Sequence, residues 1–244
     1  MTIGINVTAA IKQPRTGVEE YTYQLIKHLT MLPEARKHRF LLYLPSVVPQ
    51  GGTKEGLPDT NSRISTDDTN KEYFDFSLPP NFEIKVLRWP LPFLWTQIRL
   101  AWEMIVQPPE FLFIPVHILP IFHPKNSLVA IHGLEYEYFP QYYPFWHRLY
   151  LRLSTKYALK NARKIIAISE NTKQDLIKFY GGKADKIKVV HHGIKFPISP
   201  PPGFAARSGQ AISPASPLAC RGRANFQINY KFKILKFKNH TYCL

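Results

Sequence analysis

The stretch from Val129 to Gly193 constrains the fold more than any other part of the chain. It spells an apolar strand running into His132-Gly133, a helical segment, a second strand Ile165-Ile166-Ala167-Ile168 ending on Ser169, another helical segment, and a third strand ending in His191-His192-Gly193. Short apolar strands separated by helices pair in parallel and need cover on both faces. In open sheets of this kind ligands collect beyond the carboxyl ends of the strands, where these polar residues fall.

The same rhythm extends towards the start of the chain. Further strands are expected over Ile3–Val7, Phe40–Leu44, Ile84–Leu87 and Phe111–Ile114, and the later ones over Leu128–Ile131, Lys164–Ile168 and Ile187–Val190. Tyr21, Leu25, Leu29 and Leu32 make an amphipathic stripe that Pro33 ends, so a helix is expected over Glu20–Leu32, with others over Thr155–Asn161 and Glu170–Tyr180. The expected fold is a Rossmann-like α/β domain, a parallel sheet flanked by helices, over residues 1–195. Residues 49–80 break the rhythm with Gly51-Gly52 and scattered Asp and Asn, and read as a long surface loop or insertion.

Charge divides the chain unevenly. Of the net +15, residues 196–244 contribute seven Lys or Arg and no acid, leaving +8 on the rest. Such a balance attracts nucleic acid, anionic lipid or phosphorylated small molecules without choosing among them. Both cysteines, Cys220 and Cys243, lie in the same segment, so residues 1–195 offer no thiol for a disulfide, a metal or a nucleophile. His191 and His192 are neighbours on a strand end, pointing to opposite faces, and do not suit one metal ion. No apolar run is long enough to span a membrane, and the start reads as a strand, so the expected location is the cytoplasm. Residues 90–107, with Trp95, Ile98, Trp102 and Ile105, could place an aromatic face at the inner membrane surface as a peripheral contact; a helix packed on the flank of the sheet explains them equally well.

Five segments in order resemble the N-terminal half of the retaining GT-B glycosyltransferases of family 4, often called group 1. They are Thr16-Gly17-Val18-Glu19-Glu20-Tyr21, Phe113 to Pro120, Val129 to Leu134 with Phe139-Pro140 after it, Ile165 to Lys173, and Lys186 to Ile194. The resemblance implies a nucleotide-sugar donor, a glycan or lipid acceptor, and no metal or other cofactor. It also implies that His132 is the catalytic-site histidine, in contact with the transferred sugar or the acceptor, and that the loop carrying Gly17 and Val18 lies beside the donor diphosphate and the acceptor. The aromatic stretch from Tyr136 to Trp146 would border the acceptor site.

The residues also have readings of their own. Gly17 lies between a strand and a helix, where a positive φ or a close backbone approach to a phosphate would need glycine, or where it is simply a turn residue. His132, followed by Gly133, should emerge at the carboxyl edge of the sheet, either as a site residue or as a loop residue bonded to backbone. Ser169 suits an N-cap, and Lys173 one turn later could bind an anion at the same helix start. His117 and Glu135 flank strand ends and complete the candidates.

A complete GT-B enzyme carries a second Rossmann-like domain holding a basic pair and spaced glutamates for the donor. Residues 196–244 contain Pro200-Pro201-Pro202 and no Asp or Glu, so they are expected to be a basic, disordered and aberrant segment, as in a truncated or frameshifted product. The function expected is hexosyl transfer from a nucleotide sugar to a glycan or lipid, with little activity in this chain alone. The alternative is a binding module for an anionic ligand or a separately encoded partner domain. Nucleic-acid binding through the basic segment ranks third, since no recognised motif accompanies the charge.

Overall fold

Where a strand is covered on both faces its positions are predominantly apolar, and β5 (Ser127–Ile131) is buried throughout, its one polar residue, Ser127, bonding its hydroxyl to the Pro124 carbonyl. The computed structural model describes residues 1–12, 14–46, 73–90 and 94–193 in full, and the backbone of 235–237 and 240–242. The other six strands of the sheet are β1 (Thr2–Asn6), β2 (Arg39–Pro45), β3 (Phe82–Leu87), β4 (Phe111–Ile114), β6 (Lys164–Ala167) and β7 (Ile187–Val189). All seven run parallel in the order β3-β2-β1-β4-β5-β6-β7. The chain therefore builds outward from β1 to β3, returns to lay β4 beside β1, and builds outward again. The direction reverses between β1 and β4, and in open sheets of this kind ligands collect beyond the carboxyl ends of the strands at such a point.

Among the described residues five α-helices flank the sheet: α1 (Gly17–Met31), α2 (Ala101–Val106), α3 (Glu135–Tyr138), α4 (Phe145–Asn161) and α5 (Glu170–Tyr180). The α1 stripe buries Tyr23, Leu25, Ile26 and Leu29. The core around β4, β5 and β6 is made of Leu112, Ile114, Val129, Ile131, Ile165 and Ala167. At Gly4 a Cβ would lie 2.6 Å from the Tyr43 ring and 2.8 Å from Pro109, so any larger residue there would force one of these neighbours or β1 itself to shift. α5 ends on Gly181 in the left-handed conformation, φ 66°, whose N–H returns to the Ile177 carbonyl.

Two expectations need correction. α4 starts ten residues earlier than Thr155, because its first turns present Phe145, Trp146 and Leu153 outward, which hides the helical period. Residues 96–100 form a π-helical turn leading into α2, in which Leu100 N–H reaches the Trp95 carbonyl. Trp95 and Met104 are buried, but Ile98, Trp102 and Ile105 are exposed, so only part of this segment packs on the sheet. Of the expected loop 49–80, only residues 73–80 are described, and these bury Phe74 and Leu78. Glu103 of α2 is buried between Lys85, at 2.5 Å, and Arg99, at 2.9 Å.

The chain divides into two compact units, Met1–His191 and His192–Leu244. In the second, Leu235–Phe237 and His240–Tyr242 pair as an antiparallel hairpin, β8 and β9. The remainder of the expected basic segment lies outside the described residues. Among the described residues no helix is long and apolar enough to cross a membrane.

Candidate functional site

β4 stops at Ile114, which pairs with Val129, while β5 continues to Ile131 beside β6. Beyond that point the backbone groups of the two strands have lost each other as ladder partners and need substitutes. Two histidines supply them reciprocally. The His132 backbone N–H donates to Nε2 of His117, 2.9 Å away, and the Nε2–H of His132 donates to the Pro115 carbonyl at 2.7 Å. These bonds assign the tautomers, with the proton on Nδ1 of His117 and on Nε2 of His132. The rings lie 5.7 Å apart, and Tyr21 of α1 packs edge-on against His132 at 4.9 Å.

Enclosure sets the charge state. Burial first, and the neighbouring His132 second, push the His117 imidazole down to about 4. Burial also lowers His132, partly offset by the Pro115 carbonyl and by the Glu135 carboxylate. Burial raises the Tyr21 hydroxyl to about 12. At neutral pH the cluster is therefore a pair of neutral imidazoles and a neutral phenol beside one carboxylate, suited to hydrogen-bonding hydroxyls rather than clamping a diphosphate. Glu135 lies over the strand end: a Cβ on Gly133 would come within 2.2 Å of its Oε1, so Gly133 permits that approach.

α5 closes the third side. Ser169 caps it, accepting the Thr172 N–H at 3.1 Å, and the Thr172 hydroxyl reaches the His132 carbonyl at 3.5 Å. The capping role read for Ser169 is thus the observed one. Lys173 follows, half-buried, in the first turn.

Gly17 departs from expectation. It is the first residue of α1, its φ is not positive, and a Cβ would meet nothing within 4 Å, so no backbone constraint demands glycine. Nor is the helix start an open anion site. Thr16 donates its hydroxyl to the Glu19 carboxylate, which that bond holds below its ordinary range, and Glu20 adds a second negative charge in the same turn. Val18 is half-buried beside it, its carbonyl accepting the Thr22 hydroxyl.

Sequence reasoning missed Tyr21 as a site residue, because its place in the α1 stripe reads as core. It also missed Pro115, which takes part through a carbonyl that no side-chain pattern reveals. Among the described residues no cluster of three or more His, Cys, Asp or Glu could hold a metal ion.

A family model described as Glycosyltransferase Family 4 matches residues 15–196, most of the chain. The chain belongs to that family. Among solved structures, this family 4 chain is similar to the sucrose-phosphate synthase of Thermosynechococcus elongatus, at 14% identity and a TM-score of 0.50. The likeness covers 80% of this chain and 48% of that one, so the chain spans about half the length of its solved neighbour. At that identity the likeness concerns the fold alone. Among curated proteins no sequence matches.

Proposed function

We propose that this chain is the acceptor-side domain of a glycosyltransferase moving a hexosyl group from a nucleotide-sugar donor to a glycan or lipid acceptor. Its reading places His132 against the transferred sugar or the acceptor hydroxyl, with His117, Gly133 and Glu135 around it and Gly17, Val18, Ser169 and Lys173 on the rim. The observation that carries the proposal is the neutral His117–His132 pair beside Tyr21, at the strand ends next to the sheet's reversal point. In transfer, the bond from the anomeric carbon to the donor phosphate breaks and one to the acceptor oxygen forms. The acceptor's proton leaves with the diphosphate. Holding both partners in register is worth more here than proton transfer by a side chain, and neutral imidazoles supply hydrogen bonds to hydroxyls without competing for the proton.

Only Lys173 among the rim residues brings a cation, and residues 196–244 carry no carboxylate for a donor site built on glutamates. These 244 residues alone are therefore proposed to bind acceptor but to transfer little. The proposed location is cytoplasmic, with a peripheral membrane contact.

NMR of the full chain tests this. Titration with short oligosaccharides and an alkyl glucoside is expected to shift the His132 ring resonance, and His132→Gln, which can keep a donor to the Pro115 carbonyl, to abolish the saturable response. Nucleotide sugars alone are expected to bind more weakly than the best acceptor probe. No perturbation at His132 by any sugar overturns the site, and turnover of a nucleotide sugar by the purified chain overturns the claim of insufficiency.

A further inference from the structure

The outward face of α4 is apolar where a surface helix is ordinarily polar. Trp146 is 76% exposed, Phe145 69% and Leu153 58%, while the inward face holds the small residues Ser154, Thr155 and Ala158. Trp146, Leu149 and Leu153 stand at i, i+3 and i+7 and so form one stripe. It continues onto α5: Leu149 and Leu153 line a depression of about 270 Å³ together with Phe179 and Tyr180. Tyr138 of α3 extends the patch, packing edge-on against Phe179 at 5.4 Å.

Cations are set into this apolar face. Arg152 and Lys156 line the same depression. Arg152 spends its Nε on Glu137 at 2.9 Å and keeps half its side chain exposed, and Lys156 is exposed with no ion pair among the described residues. Residues 138–169 contain Arg148, Arg152, Lys156, Lys160, Arg163 and Lys164 and no acid at all. The other exposed apolar stripe, Ile98, Trp102 and Ile105, has no such complement, because its Arg99 is neutralised by Glu103.

We propose that the α3–α4 face docks on an anionic lipid bilayer, with Phe145, Trp146 and Leu153 entering the interface and Arg152 and Lys156 meeting lipid phosphates. Trp and Phe partition into the headgroup boundary through an amphipathic helix face, and basic residues beside them are drawn to an anionic leaflet. Lysine is depleted at protein–protein interfaces, whereas an exposed lysine beside exposed aromatics suits an anionic leaflet. The inference names the surface for the peripheral contact proposed above and stands whether or not sugar transfer is the reaction, because its test reads lipid binding and not turnover.

Flotation of the full chain with vesicles of phosphatidylcholine, with and without one-third phosphatidylglycerol, is the experiment. Binding is expected to the anionic vesicles and to weaken with added salt. The double variant Phe145→Ala/Trp146→Ala should lower the partition coefficient roughly tenfold or more. Lys156→Glu, at an exposed position that holds nothing in the fold, should lower it roughly tenfold by reversing one charge. The vesicle-induced blue shift of tryptophan emission should vanish in Trp146→Phe and persist in Trp102→Phe, with unchanged circular dichroism in each. Absence of binding to anionic vesicles overturns the proposal, as does binding that both variants retain or a blue shift carried by Trp102. Self-association without lipid that the double variant abolishes also overturns it, naming a second copy of this chain as the occupant.

Discussion

Protonating His117 tests the geometry of the strand-end cluster directly. Its imidazole has an ordinary value of 6.5 and is pushed down to about 4 in the fold, by burial and then by His132. As pH falls, the unfolded chain takes up this proton first, and the folded chain only near the lower value. Between the two the unfolded state binds more protons, so this contribution is complete above 6.5 and is lost as pH falls towards 4. The gap converts to about 3 kcal/mol at roughly 1.4 kcal/mol per pH unit, and to about 2 kcal/mol once the residue's partial contact with solvent is allowed for. For a chain of this length that is a fall in Tm of roughly 5 °C beyond whatever the carboxylates cause. His117→Gln keeps an acceptor for the His132 N–H but cannot titrate. Thermal melts of both proteins from about pH 7 to about pH 4.5 should therefore diverge, the wild type losing more. Parallel loss in the two proteins, or a His117 ring proton that titrates near the ordinary histidine value, would refute the reasoning.

Three further substitutions probe the frame that holds the cluster. Ser169→Ala removes the cap that holds the start of α5 beside His132 and should cost about 1 kcal/mol in urea unfolding. Gly4→Ala drives a methyl into the buried Tyr43 ring and Pro109, and should cost about 1 to 3 kcal/mol by overpacking; a neutral result would mean β1 shifts freely at that point. Glu103→Gln strips the shared partner from Lys85 and Arg99, and should cost about 2 kcal/mol, less than a fully buried pair because both cations are partly exposed. Burial opposes ionisation of Glu103, but the two cations outweigh it and hold the carboxyl low. Its stabilisation is therefore present above the unfolded carboxylate range and lost as pH falls through the folded value, and the variant should flatten that acid limb.

The strands were legible because a strand buried on both faces has no polar position to confuse its pattern, as Leu128 to Ile131 show. Ser169 was legible for a similar reason: capping is a local bond, and local bonds leave local patterns. The first ten residues of α4 were not, since Phe145, Trp146 and Leu153 point outward and invert the contrast on which helical periodicity depends. For Gly17 the sequence left a strained turn and an ordinary one both open, and the backbone is already helical there without a positive φ. His132 and His117 could each be placed at a strand end, but their mutual bonding joins residues fifteen apart through a backbone N–H and a carbonyl, which no spacing rule encodes.

That mutual bonding also gives the histidines a structural reason to exist, and the two roles can be separated at His132. Its Nε2–H serves the Pro115 carbonyl where β4 has run out, so deleting the ring leaves a strand-end acceptor without its donor. His132→Ala should cost about 1 to 3 kcal/mol for that reason alone, and weakened sugar binding in it would prove little about chemistry. Glutamine can carry a donor to the same carbonyl while removing the imidazole. If His132 only staples the strand ends, His132→Gln should melt within about 1 kcal/mol of the wild type and bind the oligosaccharide and alkyl glucoside probes as well. If its ring meets the sugar, as proposed, stability should return in the glutamine variant and saturable binding should not. Equal binding by wild type and His132→Gln would therefore remove His132 from the site while leaving the fold argument intact.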